Sequence, residues 1–342
     1  MATPLALQQK PPVFRAEANY VEVTARVVDR NGRFIDGLTA ADFEIREDHR
    51  RQSVETAIRV DLPTPWNSGG TPTSPIYSPE LARDLRVAGG RVYLMYLSSA
   101  GAGDVPITKK IAKDFVNSYL QPDDVVALWS LNGLVTFTSD RDRLNAGIDL
   151  FLGDDETFQA VRGTKDVGVV EPSLNTALDW FSSVQGRKKS VLLFTAGLTG
   201  LGPVNSETAI PSRPTYLLDR ADVQVYAIDT RGLAANVGWT PSAASANAAA
   251  AAVTDRAEQF FSSVFHLKWM AEDTGGFAII NHNDYQDSFR RIVEENSTYY
   301  VLGYQSTARP RPNWDYREIT VKVTKAGLNG ARVQARKGYV AR

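Results

Sequence analysis

Helix-like patterns occur only in the middle of this 342-residue chain, and both of its ends carry strand-like patterns alone. Between residues 91 and 296, apolar strand-like runs alternate with segments whose apolar residues recur every three or four positions. Such alternation is typical of a mostly parallel sheet with helices on both faces, because each right-handed crossover packs its helix back on the sheet. A predicted hairpin at 125–138 adds one antiparallel edge strand. The middle of the chain is therefore expected to form an α/β domain.

The two ends of the chain are expected to fold together. Apolar and polar residues alternate from Tyr20 to Val28, Asn31-Gly32 marks a hairpin turn, and Arg51 to Val60 is predicted as one further strand. Because two separate small β domains would each have a thin core, we expect one β-sandwich built from both ends, with the α/β domain inserted. The expected segments are a leader (1–13), the first part of the sandwich (14–62), a linker rich in Pro, Gly and Ser (63–88), the α/β domain (89–296) and the second part of the sandwich (297–342).

The composition excludes several classes of function. Lys and Arg number 38 and Asp and Glu 39, so the net charge of -1 indicates no nucleic-acid partner. There is no cysteine, which excludes disulfides, thiol nucleophiles and Cys-ligated zinc. No apolar run approaches the roughly 20 residues of a membrane-spanning helix. The first residues lack the basic start and apolar core of a signal peptide, which leaves open a cytoplasmic start and the mature start of an exported protein.

The candidate site follows the first strand of the α/β segment. Val92 to Leu97 is a run of apolar residues that predicts a buried strand, and it ends in Ser98, Ser99, Ala100 and Gly101. In open α/β sheets, ligands bind at the carboxyl ends of the strands. A metal or a catalytic base at this position would normally need a carboxylate, and this stretch supplies none.

Six stretches, in this order along nearly the whole chain, resemble a family related to the von Willebrand factor type A domain and described mainly from Acidobacteria. They are DRNGRFIDGLTAADFEIRED (29–48), KSVLLFTAGLTG (189–200), VYAIDTRGL (225–233), MAEDTGG (270–276), STYYVLGY (297–304) and RKGYVA (336–341). The resemblance implies a Rossmann-like type A domain for the α/β segment. The function of that family is largely unassigned, so the resemblance supplies no activity.

The resemblance also implies a metal site that this chain has lost. Type A domains typically bind a divalent metal through hydroxyl and carboxylate oxygens. The first group of these ligands belongs to an Asp-x-Ser-x-Ser motif. That motif falls on residues 97–101, where Leu97 and Gly101 replace the Asp and the second Ser and only Ser99 matches.

The remaining ligand positions of that site fall on Thr176, which matches, and on Ala196, which replaces an Asp. With two carboxylates missing, the site is expected to hold no metal, and no other cofactor is expected. The alternative is that Asp104 or another carboxylate completes a site for magnesium or manganese with Ser99 and Thr176.

The sequence gives little support for an enzymatic function. Ser98 and Ser99 lack a Gly-x-Ser-x-Gly elbow, and Gly101-Ala102-Gly103 fails as a dinucleotide fingerprint because Pro106 occupies the third glycine position. Asp229, at the end of another predicted strand, is expected to cap the next turn or to pair with Arg231. The basic residues near the carboxyl terminus, at alternating positions, are expected to form a solvated face.

The sequence therefore predicts a non-enzymatic module for protein–protein interaction or adhesion that acts outside the cytoplasm. Its protein partner would dock, without metal, on the face at the carboxyl ends of the parallel strands. The residues expected at that face are Ser98, Ser99, Gly101, Asp104, Asn175, Thr176, Thr195 and Ala196. The alternatives are the metal-dependent adhesion module, an unidentified enzyme, and a binding site on the sandwich.

Overall fold

The structure is a computed structural model, which describes residues 20–66, 90–98, 104–130, 133–153, 170–182, 188–195, 223–232, 263–308 and 316–340. Its strands are β1 (Tyr20–Val28), β2 (Phe43–Glu47), β3 (Arg50–Gln52), β4 (Val54–Asp61), β5 (Val92–Ser98), β6 (Val125–Ser130), β7 (Gly133–Thr138), β8 (Lys189–Thr195), β9 (Val223–Asp229), β10 (Phe277–Ile279), β11 (Thr298–Gln305), β12 (Tyr316–Val323), β13 (Arg332–Ala335) and β14 (Gly338–Val340). Its helices are α1 (Val105–Tyr119), α2 (Arg141–Asp149), α3 (Val170–Ser182), α4 (263–273) and α5 (Gln286–Ser297).

The middle of the chain forms a six-stranded sheet in the order β10-β9-β8-β5-β6-β7. All its pairs are parallel except β6 with β7, so the expected mostly parallel sheet with one antiparallel edge strand is confirmed. Both faces are apolar because successive residues of the buried strand β5 point to opposite sides. One face packs against α3 and α4, and the other packs against α1, α2 and α5.

The two ends of the chain form two antiparallel four-stranded sheets. Their orders are β13-β1-β11-β4, here called the inner sheet, and β14-β12-β2-β3, here called the outer sheet. Each sheet combines strands from before and after the α/β segment, and a single apolar cluster lies between them. The arrangement is sandwich-like, and it leaves the α/β segment inserted between β4 and β11 along the chain.

Three details of the sheets differ from the sequence-based expectation. The strand predicted from Arg51 to Val60 is two strands in different sheets, because β3 pairs with β2 and β4 pairs with β11. The apolar pair Phe34-Ile35, after the hairpin turn, predicts a short strand, but in the structure Phe34 forms an isolated bridge to Val28. The short strand β14, which pairs with β12, was not predicted.

The two chain connections between the sandwich and the α/β part pass close together. The backbone N–H of Leu62, just after β4, donates to the carbonyl of Ser297 over 2.9 Å. Ser297 is the last residue of α5 and directly precedes β11. The guanidinium of Arg91, just before β5, reaches the Ser297 hydroxyl over 2.8 Å. Within the described ranges, no helix is long and apolar enough to span a membrane.

Candidate functional site

The carboxyl ends of three neighbouring strands carry polar side chains at the same level. Ser98 of β5 is in register with Thr195 of β8, and Thr195 is in register with Asp229 of β9. Paired residues of parallel strands project to the same side of the sheet, so these three side chains form a row on the face that packs against α3 and α4. All three are buried. We call Ser98, Thr195 and Asp229 the polar row.

The carboxylate of Asp229 is fully engaged with Arg231. Its Oδ1 accepts hydrogen bonds from the backbone N–H of Arg231 over 3.0 Å and from the Arg231 Nε over 2.8 Å. Its Oδ2 accepts from the second guanidinium nitrogen over 2.7 Å. This bidentate pairing, together with the backbone bond of a turn, confirms both parts of the expectation for Asp229. The negative charge in the polar row is therefore neutralised by a neighbour two residues away.

Hydrogen bonds of nearby residues hold this end of the sheet together. The hydroxyl groups of Thr108 in α1 and Thr230 lie 2.8 Å apart. The backbone N–H of Thr230 continues the β8–β9 ladder by donating to the carbonyl of Thr195 over 2.9 Å. The hydroxyl of Tyr285 donates to the carbonyl of Asp229 over 2.9 Å. The end of β9 is thus tied to β8, to α1 and to the start of α5.

The expected site residues differ in burial and in position. Ser98 and Thr195 lie in the buried polar row, whereas Thr176 is exposed on α3. Asp104 is half-buried at the start of α1. Asn175 belongs to α3, but its side chain lies outside the described part, as do Ser99, Gly101 and Ala196 altogether. Asp229, which was not among the expected site residues, lies beside Thr195 and in the same row as Ser98.

Asp104 carries the second carboxylate near this end of the sheet. Burial raises its pKa, the guanidinium of Arg231 lowers it, and the charge of Asp229 raises it, with a net upward shift. Its side chain makes no capping hydrogen bond to α1. A carboxylate with a raised pKa is held in an environment that disfavours its charge.

Replacing Asp104 tests this electrostatic assignment. A raised folded-state pKa means that the carboxyl group stabilises the protein fully only below its unfolded pKa of about 3.9, and that this stabilisation is lost as the pH rises through the folded pKa. Because Asp104 is only half-buried, solvent screens this effect, and we expect Asp104→Asn to raise the free energy of unfolding at pH 7 by only about 0.5 kcal/mol. Urea unfolding at pH 7 and at about pH 3.5 checks this, because the gain should disappear at the lower pH. A variant that is less stable than the wild type at pH 7 would contradict the assignment.

The arrangement has few of the features of a metal centre. Among the residues with described positions, no group of three or more His, Cys, Asp and Glu side chains is placed to hold a metal ion. The carboxylate of Asp229 would have to leave Arg231 before it could bind a cation. Calcium and magnesium prefer several oxygen ligands, of which carboxylates supply the charge.

Comparisons with known proteins supply no assignment. No known protein family matches the chain, and no curated protein matches it. Among solved structures, the chain is similar to the human COPII-coat protein Sec24c, with 11% sequence identity and a TM-score of 0.32. The similarity covers 84% of this chain and 46% of that chain, so the chain spans about half the length of the structure that it matches. A TM-score this low carries no argument about fold or function.

Proposed function

We propose that the protein is a non-enzymatic binding module of the von Willebrand factor A type, whose protein partner docks without metal at the carboxyl end of the six-stranded sheet. The observation that carries the proposal is the pairing of Asp229 with Arg231 in the polar row, which satisfies the carboxylate that a metal site would need. The resemblance of the sequence to the type A-related family supports the fold assignment, and an extracytoplasmic location is part of the same proposal.

The strand order supports the proposed fold. In the sheet, β5 is central, the parallel strands follow on both sides of it, and the antiparallel strand β7 lies at one edge. The strands β6 and β7 follow on one side of β5, and the later strands β8, β9 and β10 follow on its other side, so the strand order reverses at β5. Ligands of open α/β sheets bind at such a reversal of the strand order. The exposed Thr176 and the half-buried Asp104 and Arg231 are the polar side chains that a partner would meet near this end.

Thermal unfolding with and without divalent cations tests the metal-free part of the proposal. We expect magnesium, manganese and calcium at millimolar concentration to leave the melting temperature within about 1 °C of its value in chelator, because a ligand raises stability only if it binds the native state. A rise of several degrees that disappears in Thr176→Ala would instead establish a metal-dependent module. The Arg231→Gln variant serves as a comparison, because it removes the guanidinium that pairs with the Asp229 carboxylate. We expect these cations to raise the melting temperature of this variant.

A photocrosslinking residue tests where the partner docks. Position 176 reports on the proposed face, and position 58 is a matched control because Ile58 is exposed on the inner sheet, away from that face. With extract from the native host, the proposal expects a discrete crosslinked species from position 176 and none from position 58. Crosslinking from position 58 alone would assign binding to the sandwich.

A further inference from the structure

A cleft between the sandwich and the α/β part lies at the opposite end of the parallel sheet from the polar row. Residues of β1, β9 and β13 and the residues just before β8 line it, among them Arg26, Lys188, Gln224, Gln334 and Arg336. Its empty volume is about 490 Å³, which includes the space open to solvent. The cleft therefore collects cationic side chains from three separate stretches of the chain.

Arg26 is a buried cation with one nitrogen that is left without a hydrogen bond to the described residues. Only 9% of the residue is exposed, and its Nε has no hydrogen-bond partner among the described residues. Burying an arginine in this way is costly, because a buried charge needs a counterion or hydrogen bonds to offset its lost hydration. Burial lowers the pKa of Arg26, and the carboxylate of Glu295 only partly opposes this effect.

The carboxylate of Glu295 is engaged with other groups. Its Oε1 accepts from the Nε of Arg291 over 2.8 Å and from the amide nitrogen of Gln334 over 3.0 Å. Its Oε2 accepts from the hydroxyl of Tyr226 over 3.2 Å. Glu295 is therefore held by α5, β9 and β13, and it is not the hydrogen-bonding counterion of Arg26.

Lys188 adds a second cation from the α/β side of the cleft. Its ammonium donates to the carbonyl of Glu295 over 2.6 Å and lies 5.0 Å from the centre of the Tyr299 ring. Burial lowers the pKa of Lys188 to about 7, with Glu295 raising it and Arg26 lowering it. For both cations, burial lowers the pKa more than the neighbouring carboxylate of Glu295 raises it.

We propose that this cleft binds a small tetrahedral oxyanion such as phosphate, free or as a phosphoryl group of a small ligand. Arg26 would contact it from β1, Lys188 from the start of β8, and Arg336 from the end of β13. Because Arg26 and Arg336 lie on the side of the inner sheet and Lys188 on the side of the α/β part, a tetrahedral anion with oxygens in several directions matches these donors better than a planar carboxylate. Bound there, the anion would join the sandwich to the α/β part.

Thermal unfolding of the full chain tests the site with inorganic phosphate as the probe. Against sodium chloride of equal ionic strength, we expect millimolar phosphate to raise the melting temperature by about 2–4 °C. Sulfate should act similarly because its shape is the same, whereas acetate should have little effect. An equal effect of acetate would assign the site to carboxylates, and no effect of any anion relative to chloride would overturn the proposal.

Two variants and a control locate the effect. We expect Arg26→Met to lose the phosphate-dependent shift and to weaken phosphate binding at least tenfold in calorimetric titration. Lys188→Met tests the site from the other side and keeps the proposal falsifiable if Arg26→Met fails to fold. Arg46→Met removes a half-exposed cation of the outer sheet and should retain the full shift. A wild-type shift that persists in both cleft variants would contradict the proposal.

Discussion

Asp124→Asn is expected to lower the free energy of unfolding by about 3–5 kcal/mol, because it leaves the buried guanidinium of Arg91 without its counterion. Only 1% of Asp124 and 4% of Arg91 is exposed. Asp124 Oδ1 accepts from the backbone N–H and from the Nε of Arg91, each over 2.8 Å. The other carboxylate oxygen accepts from the backbone N–H of Gln121 over 2.8 Å, so an amide nitrogen in its place would face another donor.

The position of this ion pair explains why its loss should be felt throughout the protein. Arg91 starts the central strand β5 and also binds the hydroxyl of Ser297, where the chain returns from α5 to the inner sheet. The same Ser297 accepts from the backbone of Leu62, where the chain leaves that sheet. The pair therefore stabilises the place at which both connections between the two parts of the chain converge.

Urea unfolding of Asp124→Asn and of the exposed neighbour variant Asp123→Asn measures the effect. The control should change the free energy of unfolding by less than about 0.5 kcal/mol, as is usual for surface substitutions. The double variant Arg91→Met/Asp124→Asn should be less destabilised than the sum of its single variants, because it leaves no unpaired charge. Simple additivity of the two single variants would mean that the pair does not act as a unit.

The elements of the α/β part were predictable because local patterns determine them. A continuous apolar run such as Val92 to Leu97 is typical of a strand buried on both faces, and four-residue spacing of apolar side chains marks the helix α1. The break between β3 and β4 is different. No Gly or Pro marks it, and it depends on tertiary contacts, since Gln52 accepts hydrogen bonds from both the backbone and the hydroxyl of Thr307. A local pattern does not report such pairing.

The part of the candidate site that could be predicted consists of contacts between residues close together along the chain. The pairing of Asp229 with Arg231 spans two residues and was expected. The alignment of Ser98, Thr195 and Asp229 depends on the register of three strands that are separated by long crossovers. Sequence patterns predict that strands are neighbours more readily than they predict which residues face each other.

The cationic cleft was not predictable at all. Arg26 lies in a strand whose alternation places it opposite the apolar side chains, which by itself indicates solvent. Arg336 was expected on a solvated basic face, and in the structure it lines the cleft. These side chains line the cleft because the surface of the inner sheet that faces away from the outer sheet packs against the amino ends of β8 and β9. No local sequence pattern in either segment predicts this contact.

Glu47→Leu is expected to destabilise the protein by about 3–5 kcal/mol, because it removes the carboxylate that faces a buried guanidinium. Glu47 of β2 and Arg317 of β12 are both buried in the outer sheet, with Arg317 donating to Glu47 Oε1 over 3.1 Å. The same oxygen accepts from the hydroxyls of Ser306 over 2.8 Å and of Tyr339 over 3.3 Å. Removing the carboxylate takes away one oppositely charged partner of the buried Arg317 guanidinium and one acceptor of two hydroxyl groups.

The ion pair of Glu47 with Arg317 is expected to contribute little net stability, although removing Glu47 alone is costly. A double variant separates these two effects. Glu47 Oε2 has no hydrogen-bond partner within the described residues, so the lost hydration of the carboxylate is incompletely offset. We therefore expect Glu47→Leu/Arg317→Met to recover most of the stability lost in Glu47→Leu, to within about 1 kcal/mol of the wild type. Glu44→Gln, on the same strand but paired with exposed arginines, should cost far less than Glu47→Leu in the same urea titration, because exposed ion pairs contribute little. If the double variant is as unstable as Glu47→Leu, the loss comes from the hydroxyl groups around Glu47 and not from the charge of Arg317.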